Sequence, residues 1–474
     1  MRAFGRSGYH LPVCMVGGRM ITWGGRRLVR RGIALAVAML TARCSQAYDP
    51  PQVFDELFAN GASTEVVSGS FGGLTDIVQI DDATGRHGLP ARVLWTHGMC
   101  TPAEAPPSSW WQARTRDLLA AYPGSEVVPN SIETEALPGG AKLVKEGLRP
   151  PGPSFPSRTI ELWFFDWSPL TSPYKLTGVH DPENPPGNPY RYTRATLNDA
   201  LKQGLIKDCF ADVVMYLGKN GDPIRSDTQF ALCEFFGGRL NSATGCEGAS
   251  AGRATMLISE SLGSSILFDA FRSLKFDYVH ALPAPAPSPP QSARLSRASI
   301  ARDKLRLARD NDAAVQARTN SQGMTSAMTS LTNFFMLANQ IPLVGLANDP
   351  LGVDLRRNRS LEEFIASATE MRLATAKPLT IVAFLDPNDL LSFRLIPKSG
   401  RARIVNFVVS NDDTYVGYAE RPDEAHCNYI RNGYVMHAIV FGYSGGTPQR
   451  GAVDEPESCL QGAPGGKGTV ARQN

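Results

Sequence analysis

The sequence predicts an α/β protein whose central, mostly parallel sheet is covered by helices, and two observations carry that prediction. Short apolar or β-branched runs alternate along the chain with segments of 3.6-residue periodicity. The composition, 42 % hydrophobic and 20 % charged over 474 residues, is that of an ordinary globular protein with enough apolar residues for a substantial core. A single α/β domain with insertions reaches this length, so length alone does not divide the chain.

The elements follow in order. Ala91 to Thr96 (ARVLWT) reads as a buried strand, followed by a helix around Trp110 to Ala121. Thr159 to Asp166 (TIELWFFD) is the next strand. A Pro/Gly-rich excursion through Asn188 leads to helical stretches near Thr193 to Leu217 and Gln229 to Phe236. Thr255 to Ile258 is a short strand running into a helix from Leu262 to Leu274. His280 to Gln291 is too proline-dense for regular structure and precedes a basic helical stretch near Ala293 to Ala317, read as a solvated helix or part of a lid. Core-like sequence resumes at Asn333 to Ala338, then a helix near Leu361 to Leu373 and the strand Leu379 to Leu385. Arg403 to Ser410 forms the last strand, and Tyr429 to Phe441 closes the domain as a helix.

The N-terminus reads as an export signal, residues 1–47. Arg26, Arg27, Arg30 and Arg31 form a positive region ahead of the short apolar stretch Gly32 to Ala42, which Arg43 interrupts before it is long enough to span a bilayer. Ser45-Gln46-Ala47 supplies small residues for cleavage after Ala47, and Met20 is an alternative start. Lipid attachment at Cys44 and a twin-arginine signal at Arg26-Arg27 are weaker fits to the same segment. Cys14 and Cys44 fall in this leader. Cys100, Cys209, Cys233, Cys246, Cys427 and Cys459 remain, an even number compatible with disulfides in a periplasmic or secreted protein. No pair has the spacing of a zinc site, so no metal is expected. The net charge of +3, with several arginines in the leader, leaves no basic excess to suggest nucleic acid as a partner.

The segment richest in chemical signal is Thr255 to Phe271. At its centre Ser259-Glu260-Ser261-Leu262-Gly263 joins a strand directly to a helix. A serine hydroxyl is a weak nucleophile that must be exposed to a base and aimed at a substrate, and a strained strand-to-helix turn does both. The turn brings backbone segments close together, so small residues must flank the serine; Ser259 stands where glycine is more often found. An ordinary helix N-cap is the plain alternative for either serine.

Other segments supply candidate partners for Ser261. Trp95-Thr96-His97-Gly98-Met99 ends the first strand with a His-Gly pair, which makes the backbone amides of Met99 and Leu262 the expected oxyanion donors; the His97 imidazole itself is read as a core group. The strand Leu379 to Leu385 runs into Asp386-Pro387-Asn388-Asp389, where both aspartates are candidates for the acid and Asp389 is favoured. Of the histidines, only His426 and His437 follow that acid. His426, in what reads as a polar loop before the last helix, is the expected base, and His437 a helix residue.

With THGM, SESLGS, DPNDLLS and AHCNY in this order, the chain from about Val93 to Gly442 resembles the α/β-hydrolase superfamily, in particular its bacterial lipase- and esterase-like members. That resemblance implies a central, mostly parallel sheet, acyl transfer through an acyl-serine and no cofactor. The residues themselves read as a domain over 48–445 followed by a flexible tail over 446–474, and its insertions at about 169–252 and 275–332 depart from the family pattern, as Ser259 does. The expected substrate is a carboxylic ester, small or lipid-like. Phe334 to Leu337 suit either a lipid-binding surface or a buried strand. Acyl transfer to an alcohol and a non-catalytic binding protein on the same scaffold are the competing functions.

Overall fold

The computed structural model describes residues 43–44, 50–59, 62–67, 69–83, 90–99, 109–152, 159–178, 201–250, 252–274, 315–316, 319–320, 322–348, 379–396, 403–412, 414–415 and 422–452. Its strands in the main sheet are β1 (Gln52–Ala59), β2 (Ala62–Val67), β3 (Ala91–Thr96), β4 (Glu126–Val127), β5 (Glu133–Ala136), β6 (Lys142–Arg149), β7 (Ile160–Asp166), β8 (Thr255–Glu260), β9 (Leu331–Leu337), β10 (Thr380–Leu385) and β11 (Arg403–Val408). Helices among the described residues include α1 (Leu74–Ala83), α2 (Ser109–Ala121), α3 (Ser168–Gly178), α4 (Ala211–Leu217), α5 (Gly221–Phe235), α6 (Gly263–Arg272), α7 (Ile341–Asn348), α8 (Pro422–Cys427) and α9 (Gly433–Phe441). Among the described residues the sheet has the order β2-β1-β11-β10-β9-β8-β3-β7-β6-β4, with β5 also on β6. From β11 through β7 every neighbouring pair is parallel, and antiparallel strands cap both ends.

The parallel strands are apolar without alternation because both faces are buried. Leu94, Leu257, Phe334, Met336, Ile381 and Ala383 join one core layer. Their immediate neighbours Val93, Trp95, Met256, Ile258, Phe335, Leu337, Val382 and Phe384 join the layer on the opposite face. Helices α5, α6 and α7 supply Leu232, Phe235, Ile266, Leu267 and Val344 to the first. Helices α1, α2 and α9 supply Ile77, Leu118, Val435 and Ile439 to the second. The expected α/β class with a large, mostly parallel sheet is therefore what the chain adopts.

Several elements depart from the sequence expectations for physical reasons. β1 and β6 lack a clean apolar pattern, because charged residues interrupt both, and those charges pair with side chains on a neighbouring strand or on the helices packed against the sheet. Asp55 on β1 accepts from Arg403 Nε at 2.8 Å. On β6, Lys145 lies 4.5 Å from the Trp163 ring centroid and 2.5 Å from Glu234, while Glu146 accepts from the Thr115 hydroxyl at 2.6 Å. α5 begins at Gly221 rather than Gln229, since Pro223 is tolerated in a first turn. The stretch expected as one helix to Leu217 is a π-helix over Leu201–Phe210 followed by α4. The expected closing helix is broken at Asn432, which separates a 3-10 turn over Asn428–Arg431 from α9 and caps α9 by accepting from the Tyr434 amide.

Phe334 to Leu337 lie within β9 and are sealed in the core, so they form no lipid-binding surface. Of the leader only Arg43–Cys44 are described, as two residues antiparallel to Thr414–Tyr415; the apolar stretch and the cleavage position lie outside the described residues. The same holds for the proline-dense segment, nearly all of the basic stretch after it and the helix expected near Leu361 to Leu373. No described helix is long and apolar enough to cross a membrane.

Cys233 at the end of α5 is bonded to Cys246 on the short hairpin Arg239–Asn241/Gly245–Glu247, 13 residues on, and Cys209 is disulfide-bonded too. A loop of this size, once cross-linked, loses chain entropy in the unfolded state worth about 3 kcal/mol. Replacing both Cys233 and Cys246 with serine is expected to lower the unfolding free energy by about 2–4 kcal/mol in urea titration.

Candidate active site

In an open α/β sheet a crevice forms at the carboxyl ends of adjacent strands whose following helices leave to opposite faces. β3 and β8 are such a pair: α2 packs on one face after β3 and α6 on the other after β8. The segments leaving these two strands, His97-Gly98-Met99 and Ser261-Leu262-Gly263, meet there.

Ser261 has φ of +50°, a left-handed conformation that L-residues rarely adopt. The junction is held by backbone bonds. The Ser261 amide donates to Leu337 O at 2.7 Å, and the Ser264 amide to Ser261 O at 3.2 Å. Two glycines permit the close approach. A Cβ on Gly98 would stand 2.5 Å from Ser261 Cβ, and one on Gly263 would stand 2.6 Å from His97 O. At position 259 the Ser259 hydroxyl is buried and pairs with the Ser264 hydroxyl at 2.8 Å, so serine is accommodated where a glycine was the usual expectation. Glu260, between the two serines, is clamped by Arg114 Nε and Nη2 at 2.7 and 2.8 Å and by Trp95 Nε1 at 2.8 Å.

The Ser261 hydroxyl, the His426 imidazole and the Asp389 carboxylate come together in one line. Ser261 Oγ is 2.9 Å from His426 Nε2, and His426 Nδ1 is 2.9 and 3.0 Å from the two Asp389 oxygens. A carboxylate only accepts, so Nδ1 carries the proton and Nε2 is left to accept from the serine hydroxyl. All three residues are buried, with Ser261 4 % exposed and His426 9 %. His426 lies in α8, not in the expected loop; the helix has only six residues, too short for periodicity to reveal. His437 lies on α9 with its ring 4.8 Å from Phe441, and burial holds its pKa below the usual value.

Asp389 also accepts from Tyr429 Oη at 3.0 Å and from the Leu391 amide at 2.9 Å. Asp386 faces elsewhere. Its oxygens accept from the amides of Asn388 and Asn411 at 2.8 and 2.6 Å, and burial raises its pKa to about 6 against the pull of those donors. The His97 ring is buried and stacked on Trp167, with Nδ1 2.7 Å from Gly98 O and Nε2 3.2 Å from Asp166. Burial pushes Asp166 up, but hydrogen bonds with His97 and Ser168 outweigh it and hold the carboxyl below its usual range. Leu262 stands at the N-cap of α6, where an amide has no intrahelical acceptor, and Met99 follows Gly98 against the same turn.

Two residues of this cluster are assigned no role by the sequence, although Tyr429 closes the motif AHCNY. Gln340 Nε2 donates to Ser261 Oγ at 2.7 Å. Tyr429 Oη accepts from the Asp386 amide at 2.7 Å while donating to Asp389. Among the described residues no group of His, Cys, Asp and Glu could hold a metal ion. No family model matches the chain, and neither a curated protein nor a solved structure is significantly similar to it.

Removing the Tyr429 hydroxyl would leave the buried Asp386 amide without its acceptor, at a cost of about 1–3 kcal/mol. Tyr429→Phe is expected to lower the urea unfolding free energy by that amount while retaining the fold by circular dichroism. An unchanged unfolding midpoint would show that water replaces the phenol.

Proposed function

We propose that this chain is an exported serine hydrolase of the α/β-hydrolase type that cleaves a carboxylic ester through an acyl-serine intermediate. The observation that carries the reading is the unbroken hydrogen-bonded line from Ser261 Oγ through His426 to Asp389. Its tautomer is the one that base catalysis needs.

In the proposed reaction Ser261 Oγ attacks the ester carbonyl carbon as its proton passes to His426 Nε2. Asp389 orients the ring and offsets the charge of the imidazolium that forms. The carbonyl electron pair moves onto oxygen, where the amides of Met99 and Leu262 receive it. Collapse of this adduct expels the alcohol, which takes the proton from Nε2. Water then repeats the sequence on the acyl-serine to release the acid. No cofactor takes part in these steps. The disulfide between Cys233 and Cys246 supports an oxidising compartment, in line with the export signal read from the leader.

The reading is tested with a fluorophosphonate probe and a series of p-nitrophenyl esters of increasing acyl length. The wild-type protein is expected to be labelled and to turn over at least one ester, and Ser261→Ala to lose labelling and at least about 10⁴-fold in kcat with the fold retained. Asp389→Asn is expected to lose about 10³–10⁴-fold in kcat. A folded wild-type protein that neither reacts with the probe nor cleaves any ester would instead be a binding protein on this scaffold.

A further inference from the structure

The reaction above gives the oxyanion two donors, both backbone amides. We propose that the side chain of Gln340 is a third, holding the nucleophile in the resting protein and the oxyanion after attack. This rests on the reading of Ser261 as a nucleophile.

Gln340 is 1 % exposed, and its amide nitrogen lies 2.7 Å from Ser261 Oγ and 3.5 Å from Met99 Sδ. A carboxamide buried to this degree must use its donors; beside the weak thioether acceptor of Met99, the oxygen it finds is the reacting atom itself. Because the N–H donates, Ser261 Oγ accepts from Gln340 while giving its own proton to His426. The hydroxyl rotor is thus fixed, with one lone pair left for the substrate carbon. When the Oγ–C bond forms, Oγ becomes an ether-like oxygen and a poorer acceptor. The negative charge then sits on an oxygen attached to the same carbon, one bond angle away. A donor already in reach of Oγ needs only a small rotation to follow the charge, and its contact with Met99 puts it beside a residue of the proposed oxyanion pair.

The backbone around Gln340 is pinned from every direction, as a preorganised donor requires. Leu337 O accepts the Ser261 amide, and the Ala338 amide donates to Phe384 O at 3.2 Å. Asn339 exchanges two hydrogen bonds with Phe393, at 3.0 and 3.2 Å, and its Oδ1 caps the Ile341 amide at 2.9 Å. Gln340 O accepts the amides of Leu343 and Val344 as α7 begins. Ala338 has φ of +53°, a strained conformation for alanine, and the turn it makes between β9 and α7 brings Gln340 onto the nucleophile.

Two variants separate this role from packing. Gln340→Met keeps the volume and removes the donor; Gln340→Glu keeps the shape and replaces the N–H with a carboxylate oxygen. On the p-nitrophenyl ester that the wild-type protein cleaves fastest, Gln340→Met is expected to lower kcat about 10²-fold with KM changed less than about threefold. Gln340→Glu is expected to be slower still. Affinity for an alkyl boronic acid, whose serine adduct is tetrahedral, should fall with kcat, while affinity for the planar product carboxylate stays put. The proposal is overturned if kcat of Gln340→Met is unchanged or rises, or if boronate and product affinities fall together, as loss of packing alone would cause. Failure of the wild-type protein to react with the fluorophosphonate probe would remove the Ser261 reading and this role with it, a result distinct from a wild-type enzyme that tolerates the substitution.

Discussion

Ser261 sits at the end of a parallel strand with its backbone in the left-handed region, and the site is organised around keeping it there. An L-residue gives up about 1–2 kcal/mol to adopt that conformation, and it persists only where the surroundings over-determine it. Here they do so from several sides. β9 receives its amide, α6 starts from its carbonyl, and Gly98 and Gly263 let the segment after β3 press against the turn. On the far side the Glu260 carboxylate is fastened to Arg114 of α2 and to the Trp95 indole. Relaxing the serine to an ordinary backbone would swing Oγ away from His426, so the strain and the hydrogen-bonded line stand together.

The sheet turns this local constraint into a fixed spacing among the three groups. Glu260 is in register with Leu337, and Leu337 with Phe384, so the ends of β8, β9 and β10 are level. Ser261 leaves the first of these strands, Gln340 follows the second, and Asp386 to Asp389 follow the third. Side chains from three consecutive parallel strands thus converge without any long loop having to find its place. His426 arrives from the C-terminal region. Asn411 donates its side-chain amide to Ala425 O and its backbone amide to Asp386, tying the short helix α8 to the turn that carries Asp389. Both core layers fill the space beneath, which leaves the strand ends little freedom to shift.

What could be read from the sequence was what local chemistry dictates. A strand that must turn abruptly into a helix needs small residues beside Ser261, and those residues are visible at 259 and 263. The His-Gly pair at 97–98 is visible for the same reason, since only glycine fits where Gly98 meets Ser261. Gln340 was not legible, because nothing in the pair Asn339-Gln340 marks it; its position follows from the turn at Ala338 and from the pairing of β8 with β9, both tertiary properties. β1 and β6 were missed because Asp55, Lys145 and Glu146 break the apolar pattern, and the partners that make their burial tolerable lie far away in sequence. The helical setting of His426 was missed because six residues carry too little periodicity.

The two aspartates after β10 show how a single turn assigns different work to identical side chains. Taking two carboxylates out of water within three residues of each other is costly unless each has its own compensation. Asp386 is compensated by neutral dipoles, the amides of Asn388 and Asn411, which bind the tip of the strand to the following segments but do not cancel the effect of burial. Asp389 is given the imidazole, the one partner in the cluster that can become a cation. The Tyr429 hydroxyl connects the two by accepting the Asp386 amide and donating to Asp389, which fixes the orientation of the second carboxylate by reference to the first. Exchanging the roles would require the turn to refold, because Asp386 would have to surrender both amides before either oxygen could face His426. Which carboxylate meets His426 is therefore set by where the backbone donors of the turn point.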